Sequence, residues 1–255
     1  MAEKLLVLIT GANQGLGYYA ARQLAATGKH HVLIGSRDIS KAEKAIQSLA
    51  NDSSVKVDAE DFEPIQIDVC SDESIQTAAQ TVEQKHGRLD ILMGNAGVSS
   101  AQSAAADGSG PSLRELYHQH YDTNVFGAAQ TTEAFLPLLR KSTAAGGKRI
   151  AFTSSGLSSL QLAHDDDGNF SAANYPIYRS TKTALSMVML YYAKTLEKEG
   201  FVVTASDPGY CSTNLNGYHG MKDPRDGAKV LVKAAVDAKE KVHGRVVNED
   251  GPEPW

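Results

Sequence analysis

The sequence predicts an α/β fold in which a parallel sheet carries helices on both faces and forms one domain over residues 1–255. Short apolar runs alternate from end to end with segments whose apolar residues repeat at helical spacing. Such alternation joins parallel strands through right-handed crossovers. A length of 255 residues suits one large core, and no internal repeat or low-complexity segment divides the chain. Stretches of small residues at 103–110 and 144–147 are predicted to be loops within the domain.

The predicted elements follow one another in a regular order. Seven short apolar runs are predicted as buried strands, at 5–9, 32–34, 65–67, 89–93, 149–153, 202–205 and 245–247. Six segments with helical periodicity are predicted as helices, at 16–26, 40–49, 72–86, 113–140, 175–199 and 225–239. Ser40 followed by Glu43 predicts a capping box at the start of the second helix.

Composition and charge argue against several classes of protein. Hydrophobic residues make up 42% and charged residues 22% of the chain, as in ordinary globular proteins. The net charge of −5 argues against a nucleic-acid partner, which requires a basic surface. No apolar stretch is long enough to cross a bilayer, and residues 1–4 leave no room for a signal peptide before the first strand. We therefore expect a cytoplasmic protein with no membrane partner and with two reduced thiols, Cys70 and Cys211.

The first predicted strand ends in a glycine-rich turn at 10–17, Thr-Gly-Ala-Asn-Gln-Gly-Leu-Gly, and a helix follows. Glycines let the backbone approach a pyrophosphate, and the helix N-terminus then presents free N–H groups to the anion. The spacing Gly-x-x-x-Gly-x-Gly fits the usual dinucleotide fingerprint only loosely, and a purely structural turn is the alternative. We assign dinucleotide binding to Gly11, Asn13, Gln14, Gly15, Leu16 and Gly17.

Ser36, Arg37 and Asp38 follow the second predicted strand. A carboxylate directly at this strand end would accept a hydrogen bond from a ribose 2′-hydroxyl and indicate NAD(H). A guanidinium instead pairs with a phosphate through two charge-assisted hydrogen bonds. Because Ser36 and Arg37 come before Asp38, the sequence favours NADP(H) over NAD(H), with Ser36 and Arg37 as cofactor-binding residues. Two alternatives stay open: Arg37 stacks on the adenine, or Asp38 binds the ribose.

Two further strand ends carry polar or small side chains. Asp68 and Val69 follow the third predicted strand, where a carboxylate would meet the adenine amino group. Asn95, Ala96 and Gly97 follow the fourth, where small residues let the cofactor ribose lie against the backbone. Read in isolation, each is an ordinary strand-end turn. We nevertheless assign all five to the cofactor site, because of their order after the glycine turn.

Tyr178 and Lys182 lie four residues apart in a predicted helix, and Ser154 and Ser155 close the strand before it. The spacing puts the phenol and the ammonium on one helical face. A free tyrosine ionises at about pH 10, and a neighbouring cation favours the phenolate, which makes the residue usable as an acid or a base. Alone, such a pair is weak evidence, because most Tyr-x-x-x-Lys pairs are ordinary helix surface.

In their order along the chain these features resemble the short-chain dehydrogenase/reductase family in its main, non-extended form. The segment Ser36-Arg37-Asp38 is similar to that of the NADPH-preferring carbonyl reductases in particular. The resemblance covers essentially the whole chain and implies a Rossmann fold with seven parallel strands in the order 3-2-1-4-5-6-7. Besides the glycine turn, the matching residues are Asp68, Asn95-Ala96-Gly97, Asn124, Ser155, Tyr178, Lys182, Pro208-Gly209 and Thr213.

The resemblance also implies a role for each matching residue. Ser155 would donate a hydrogen bond to the substrate carbonyl oxygen, and Tyr178 would give that oxygen its proton in reduction or remove it in oxidation. Lys182 would lower the pKa of the tyrosine and hold the nicotinamide ribose, while Asn124 would anchor a water that links Lys182 to solvent. The nicotinamide carboxamide would be flanked by Pro208, Gly209 and Thr213.

The chain departs from the family pattern in two places. Gly94 stands where the family usually has an asparagine, from which we expect some loss of local rigidity and no loss of chemistry. Residues 157–173 form an insertion before Tyr178, and we predict that it borders the pocket. No metal site is predicted, because His118 and His120 point to different sides of a helix and have no third ligand nearby.

The sequence defines the class of substrate less closely than it defines the type of reaction. The segment at 209–223 is predicted to form a short lid, whose side chains imply a moderately apolar, open pocket. With no basic cluster to mark a phosphorylated or coenzyme A substrate, we expect a small or medium ketone, aldehyde or secondary alcohol. A dinucleotide-sensing regulator without turnover is the alternative function. The helices at 113–140 and 175–199 could pair subunits in a homodimer or homotetramer, and the oligomeric state stays open.

Overall fold

A computed structural model describes residues 3–100, 102, 103, 105 and 109–255. Seven parallel strands form one sheet in the order β3-β2-β1-β4-β5-β6-β7, which confirms the predicted fold class and strand order. The strands are β1 (Leu5–Ile9), β2 (His30–Ser36), β3 (Phe62–Gln66), β4 (Ile91–Gly94), β5 (Arg149–Thr153), β6 (Val202–Ser206) and β7 (Val246–Val247). The helices are α1 (Gly15–Ala25), α2 (Ile39–Ala50), α3 (Asp72–His86), α4 (Leu113–Tyr121), α5 (Gly127–Arg140), α6 (Leu160–Asp165), α7 (Pro176–Thr195), α8 (Pro224–Val236) and α9 (Lys239–Val242).

The sheet separates two hydrophobic cores, because alternate residues of each strand face opposite sides. In β1, Leu6 and Leu8 face the core that α3, α5 and α7 cover, whereas Val7 and Ile9 face the core beneath α1, α2 and α8. All four side chains are buried. Burial on both faces explains why these strands read as continuous apolar runs in the sequence. None of the described helices combines the length and the hydropathy that a membrane span requires.

The helix predicted at 113–140 is not continuous. A π-helical turn over Asp122–Phe126 separates α4 from α5. At the start of α5, Gly127 lies so close to the backbone of Val69 that a Cβ on residue 127 would come within 2.4 Å of the Val69 carbonyl oxygen. The sequence did not reveal the break, because apolar spacing continues through it. Turns of this kind often lie at functional sites.

Other predicted boundaries also need correction. Asp38 caps α2, since its carboxylate accepts a hydrogen bond from the Ser40 amide at 2.9 Å; the predicted capping box of Ser40 with Glu43 was therefore wrong. The last two predicted helices end earlier than expected, at Thr195 and Val236.

The edge strand β3, the insertion at 157–173 and the loop at 103–110 can also be compared with their predictions. β3 begins at Phe62, earlier than predicted, and it tolerates Pro64 because an edge strand has one unpaired side. The insertion at 157–173 contains α6. The loop predicted at 103–110 lies partly outside the described residues, which omit 104 and 106–108.

Candidate active site

The carboxyl ends of β1 and β4 are tied together by side-chain and backbone hydrogen bonds. The Asn95 side-chain amide donates to the Thr10 carbonyl at 2.8 Å, and the backbone amides of Asn95 and Ala96 both donate to the Thr10 hydroxyl oxygen at 3.0 Å. A Cβ on Gly17 would lie only 2.6 Å from the Asn95 side-chain nitrogen. The glycine turn at 10–17 is therefore braced by the residues that follow β4, and Gly17 is required for this close packing.

The glycine turn leaves the N-terminus of α1 open to an anion. Gly11 and Gly15 have φ angles of 65° and 58°, which glycine adopts without strain. Gln14 is the N-cap residue and makes no capping hydrogen bond through its side chain. Within the described ranges no side chain engages the first N–H groups of α1, so these donors point outward together with the positive end of the helix dipole. Asn13 lies in the turn and Leu16 in the first turn of the helix.

The three residues at the end of β2 have different surroundings. Ser36 is buried, and its hydroxyl oxygen accepts a hydrogen bond from the Asp38 amide at 3.3 Å. The Asp38 carboxylate accepts from the Ser40 hydroxyl at 2.7 Å and from the Ser40 amide at 2.9 Å, and both bonds lower the pKa of Asp38. Arg37 is exposed, and no side chain in the described part of the chain pairs with its guanidinium. Asp38 is thus engaged in capping α2, whereas Arg37 is available to a ligand.

Asp68 and Val69 lie at the same edge of the sheet, after β3. The Asp68 carboxylate is half-buried and accepts a hydrogen bond from the Cys70 amide at 3.1 Å. Val69 is buried, and its carbonyl lies against Gly127 at the start of α5. The two residues therefore join the β3 end to the helix that follows the π-helical turn.

Asn124 lies in the π-helical turn and is 1% exposed. Its side-chain oxygen accepts a hydrogen bond from the Val98 amide at 2.8 Å. Its side-chain nitrogen donates to the Val98 carbonyl and to the Thr181 hydroxyl, each at 3.0 Å. Asn124 therefore links the loop after β4 to α7 at the residue before Lys182.

Tyr178 and Lys182 come together on α7 as their spacing predicts. Lys182 is 3% exposed, and its amine donates to the carbonyl of Thr153, the last residue of β5, at 2.7 Å. The Lys182 Nζ atom lies 5.5 Å from the centre of the Tyr178 ring. At the start of the helix, the side-chain oxygen of Gln102 accepts a hydrogen bond from the Tyr178 amide at 2.9 Å. The phenol and the amine are thus held beside the carboxyl end of β5.

Burial changes the acidity of both groups. It lowers the pKa of the Lys182 amine to about 8. It raises the pKa of the Tyr178 phenol above its ordinary value, and the negative charge of Asp207 adds to this effect. Burial and Asp207 are the causes of this shift, and the expectation that Lys182 lowers the phenol pKa stays a prediction. Near neutral pH the phenol keeps its proton and the amine is mostly charged.

The two serines at the end of β5 have different environments. Ser154 is buried, and its hydroxyl lies 3.5 Å from that of Ser186. Ser155 is half-buried, and its hydroxyl oxygen accepts a hydrogen bond from the Leu157 amide at 3.2 Å. This bond uses a lone pair of Ser155 and leaves its O–H free to donate. Ser155 is the member of the pair that is available to a ligand.

The segment after β6 returns to the glycine turn. The Gly209 amide donates to the Asp207 carboxylate at 3.0 Å, and the Pro208 carbonyl accepts a hydrogen bond from the Cys211 thiol at 3.3 Å. Thr213 is buried, and a Cβ on Gly15 would lie 3.8 Å from the Thr213 side chain. The start of the lid therefore packs beside the phosphate-binding turn.

Several aromatic and apolar side chains of the lid segment 209–223 are exposed. They are Tyr210, Leu215, Tyr218 and Met221. Desolvation and the neighbouring Tyr175 hydroxyl raise the pKa of Tyr210, so the lid and the start of α7 meet through these two phenols. Tyr175 is the N-cap residue of α7 and adopts a left-handed backbone conformation.

Sequence analysis missed a pair of carboxyl groups next to Ser155. A Cβ on Gly156 would lie 3.1 Å from an Asp207 carboxylate oxygen and 3.4 Å from one of Glu253. Burial, followed by the charge of Asp207, raises the pKa of Glu253 to about 8. Glu253 belongs to the C-terminal tail, and the Asn248 side chain donates to it at 3.1 Å. No motif identified the pair, because β6 and the tail approach each other only in the folded chain.

A parallel sheet of this order, with a glycine turn and a Tyr–Lys pair at its carboxyl edge, is typical of Rossmann-type oxidoreductases. The short chain dehydrogenase family model matches residues 5–223, and the chain belongs to that family. Over 250 residues it is 41% identical to the short-chain dehydrogenase anuI of Penicillium roqueforti, covering 97% of this chain and 95% of that protein.

One further relative supports this family, and one solved structure shares the fold. The chain is 34% identical over 252 residues to the short-chain dehydrogenase/reductase tropE of Talaromyces stipitatus, covering 94% of this chain and 89% of that protein. Among solved structures, the NADPH-bound carbonyl reductase from chicken fatty liver has the same fold, with a TM-score of 0.81 and 24% identity over the whole of both chains.

Proposed function

We propose that the protein is a single-domain NADP(H)-dependent oxidoreductase that interconverts a ketone or aldehyde and an alcohol by hydride transfer. The arrangement at the end of β5 carries the proposal. There Thr153 holds the Lys182 amine beside the Tyr178 ring, and Ser155 follows two residues later. A phenol, an ammonium and a free hydroxyl in this arrangement are suited to binding one carbonyl oxygen and protonating it.

When bound, the nicotinamide supplies the hydride in reduction or accepts it in oxidation. Ser155 donates its O–H to the substrate carbonyl oxygen, and Tyr178 delivers its proton to the same oxygen. The raised pKa of Tyr178 keeps that proton available near neutral pH. Lys182, mostly charged below its pKa of about 8, stabilises the negative charge that develops on the oxygen and then on the phenolate. Asn124 positions this face of α7 through its bond to Thr181.

The residues at the carboxyl edge fit a dinucleotide. The open N-terminus of α1 would hold the pyrophosphate, and Arg37 is available to pair with a 2′-phosphate. The available Arg37 guanidinium favours NADP(H) over NAD(H), while the Asp38 carboxylate caps α2 through Oδ1. The residues proposed to bind the cofactor are Gly11, Asn13, Gln14, Gly15, Leu16, Gly17, Ser36, Arg37, Asp68, Val69, Asn95, Ala96, Gly97, Tyr178, Lys182, Pro208, Gly209 and Thr213.

The lid favours an uncharged substrate. Tyr175 and Tyr210 offer aromatic surface where the lid meets α7. The Lys222 amine of the lid already has a carboxylate partner, Glu249, at 2.9 Å. We therefore propose a small or medium ketone, aldehyde or secondary alcohol as the substrate.

We also propose that the protein is cytoplasmic and forms a homodimer or homotetramer through α5 and α7. Met187 and Tyr191 are 66% and 56% exposed on α7, and Phe126 is 52% exposed directly before α5. Large apolar side chains on neighbouring solvent-facing helices are typical of subunit contacts. Light scattering of the purified protein measures the number of subunits.

Tyr178→Phe tests the proposed activity because it removes the proton donor and keeps the ring. With a panel of ketones and aldehydes, we expect NADPH oxidation to slow by about 10²–10⁴-fold while NADPH affinity changes little. Tyr192→Phe is the matched control: Tyr192 is buried on the same helix, and its hydroxyl donates to Glu133 at 2.7 Å. If wild type and Tyr178→Phe both bind NADPH but are equally inert with every substrate, the protein is instead a dinucleotide-sensing regulator.

A further inference from the structure

Three side chains from different elements meet near the start of β2, away from the catalytic edge. They are His31 of β2, Glu63 of the edge strand β3 and His86 at the end of α3, called here the His31–Glu63–His86 cluster. One ring nitrogen or carboxylate oxygen from each lies within 4.8 Å of the others. The His86 Nε2 atom is 3.0 Å from the Glu63 Oε2 atom, and the His31 Nε2 atom is 3.9 Å from it. All three side chains are about one-fifth to one-quarter exposed, so an ion in solution can reach them.

Neighbouring groups orient two of these side chains. The His31 Nδ1–H donates to the Glu60 carbonyl at 3.1 Å, which places the ring's lone pair on Nε2, the nitrogen that faces Glu63. The Lys85 amine donates to Glu63 Oε1 at 2.8 Å and leaves Oε2 to the two histidines. In known metal sites, hydrogen bonds from neighbouring groups likewise orient the histidine and carboxylate ligands.

We propose that the His31–Glu63–His86 cluster binds one divalent transition-metal ion of the zinc type. Two imidazole nitrogens and one carboxylate oxygen are a known zinc ligand set that leaves a fourth position for water. Ligand bonds of about 2.0–2.2 Å in tetrahedral geometry separate the ligand atoms by roughly 3.3–3.6 Å. The observed separations of 3.0 and 3.9 Å lie on either side of this range, so small side-chain rotations complete the site. The metal takes the place of the proton on His86 Nε2, and that proton moves to Nδ1 of the same ring.

The proposed site differs from the expectation of no metal, which considered only ligands close in sequence. His31 is the second residue of β2 and Ser36 is its last, so the cluster lies roughly 16 Å along the strand from the cofactor edge. A bound ion would join the edge strand β3 to β2 and to the last turn of α3, whose carbonyl end favours a cation. Its expected effect is on stability, because no catalytic residue lies within the cluster.

Zinc chloride is the probe that tests the site, with protein purified without a histidine tag. Calorimetric titration should give one ion per chain, and at a free zinc concentration about 100 times Kd the melting temperature should rise by about 5–10 °C. EDTA should reverse the shift. Cobalt(II) bound at the same site should give the visible absorption bands of a tetrahedral ion. The oxidoreductase proposal is not involved, since none of these measurements uses turnover.

The variants separate a built site from general binding of zinc to histidines. His86→Gln and His31→Gln should each weaken zinc binding by at least about tenfold, the lower end of the loss seen on removing groups that only support a ligand. His164→Gln is the matched control, because His164 is also paired with a carboxylate, at 2.8 Å from Asp165, but is exposed on α6. Circular dichroism without zinc shows that each variant is folded. Absence of zinc binding in wild type, or equal affinity in wild type, His86→Gln and His31→Gln, would overturn the proposal and leave an ion-pair cluster.

Discussion

The glycine turn and the catalytic helix meet at the same edge of the sheet, yet different interactions hold them. Around the turn, Thr10 and Asn95 are joined by hydrogen bonds to backbone groups, and Gly17 packs directly on the Asn95 side chain. Around α7, buried ionisable groups are close to one another: the Lys182 amine lies near the Tyr178 ring, whose acidity responds to the charge of Asp207.

Because of this difference, we expect the two regions to respond to different changes. Backbone hydrogen bonds and glycine packing depend on shape and do not titrate near neutral pH. A buried ionisable group responds to pH where desolvation moves its pKa toward the working range, as it does for Lys182. We therefore expect the dinucleotide side to respond to changes of shape or surface charge, and the catalytic side to respond to pH as well.

Lys182→Met should have the largest effect, since it removes the buried cation and keeps a side chain of similar length. We expect the rate of carbonyl reduction to fall by about 10²–10⁴-fold, because the developing phenolate loses its stabilising charge. In wild type the rate should also decline as pH rises through about 8, where the Lys182 amine loses its proton. The variant should lack this decline.

Lys194→Met is the control for this prediction, because Lys194 is an exposed lysine near the end of the same helix. It should keep both the wild-type rate and the wild-type pH profile. A Lys182→Met enzyme with the wild-type rate would show that the buried amine has no part in the chemistry.

Arg37→Ala should have a smaller effect, confined to cofactor choice. We expect NADPH to bind about 10–100-fold more weakly, the loss of one or two charge-assisted hydrogen bonds, while NADH affinity changes less than about threefold. Fluorescence titration with both nucleotides measures the ratio. Asp38→Asn serves as the control, because the amide oxygen can still cap α2 and the nucleotide preference should persist. Equal losses for NADPH and NADH in Arg37→Ala would contradict the phosphate assignment.

The sequence predicted the fold well because the strands are buried on both faces and the helices alternate with them in strict order. The missed features lie where tertiary contacts override local pattern. Gly127 approaches Val69 at the π-helical turn, a contact that apolar spacing inside the predicted helix could not reveal. At α2 two candidate caps stood close together, and Asp38 was the one used.

In the candidate site too, local motifs were predictable from the sequence and long-range contacts were not. The glycine turn and the pair Tyr178 and Lys182 are local motifs, so their spacing alone placed each motif on its element. The approach of Asp207 to Glu253, and the His31–Glu63–His86 cluster, join residues that are far apart in sequence. A single sequence carries no signal for such contacts, which depend on how β6, β3 and α3 pack.

Glu253→Gln should have the smallest effect. It tests whether an ionised carboxylate at position 253 lowers the stability of the folded protein. Burial and Asp207 raise the pKa of Glu253 from 4.5 to about 8, so between these values the folded chain binds more protons than the unfolded chain. Stability that is present below the unfolded pKa is therefore lost as pH rises toward 8. After allowance for partial exposure, we expect the wild-type melting temperature to fall by about 5 °C relative to Glu253→Gln over this interval.

The control variant is Glu249→Gln, because Glu249 lies on the same C-terminal segment and pairs with Lys222 at the surface. Its melting temperature should follow that of wild type at every pH, since the substitution removes only one surface ion pair. Calorimetry of wild type, Glu253→Gln and Glu249→Gln between pH 4.5 and about 8 tests this prediction. Parallel curves for wild type and Glu253→Gln would mean that the carboxyl pair holds no extra proton. The contrast between a shape-dependent dinucleotide side and a pH-dependent catalytic side would then rest on Lys182 alone.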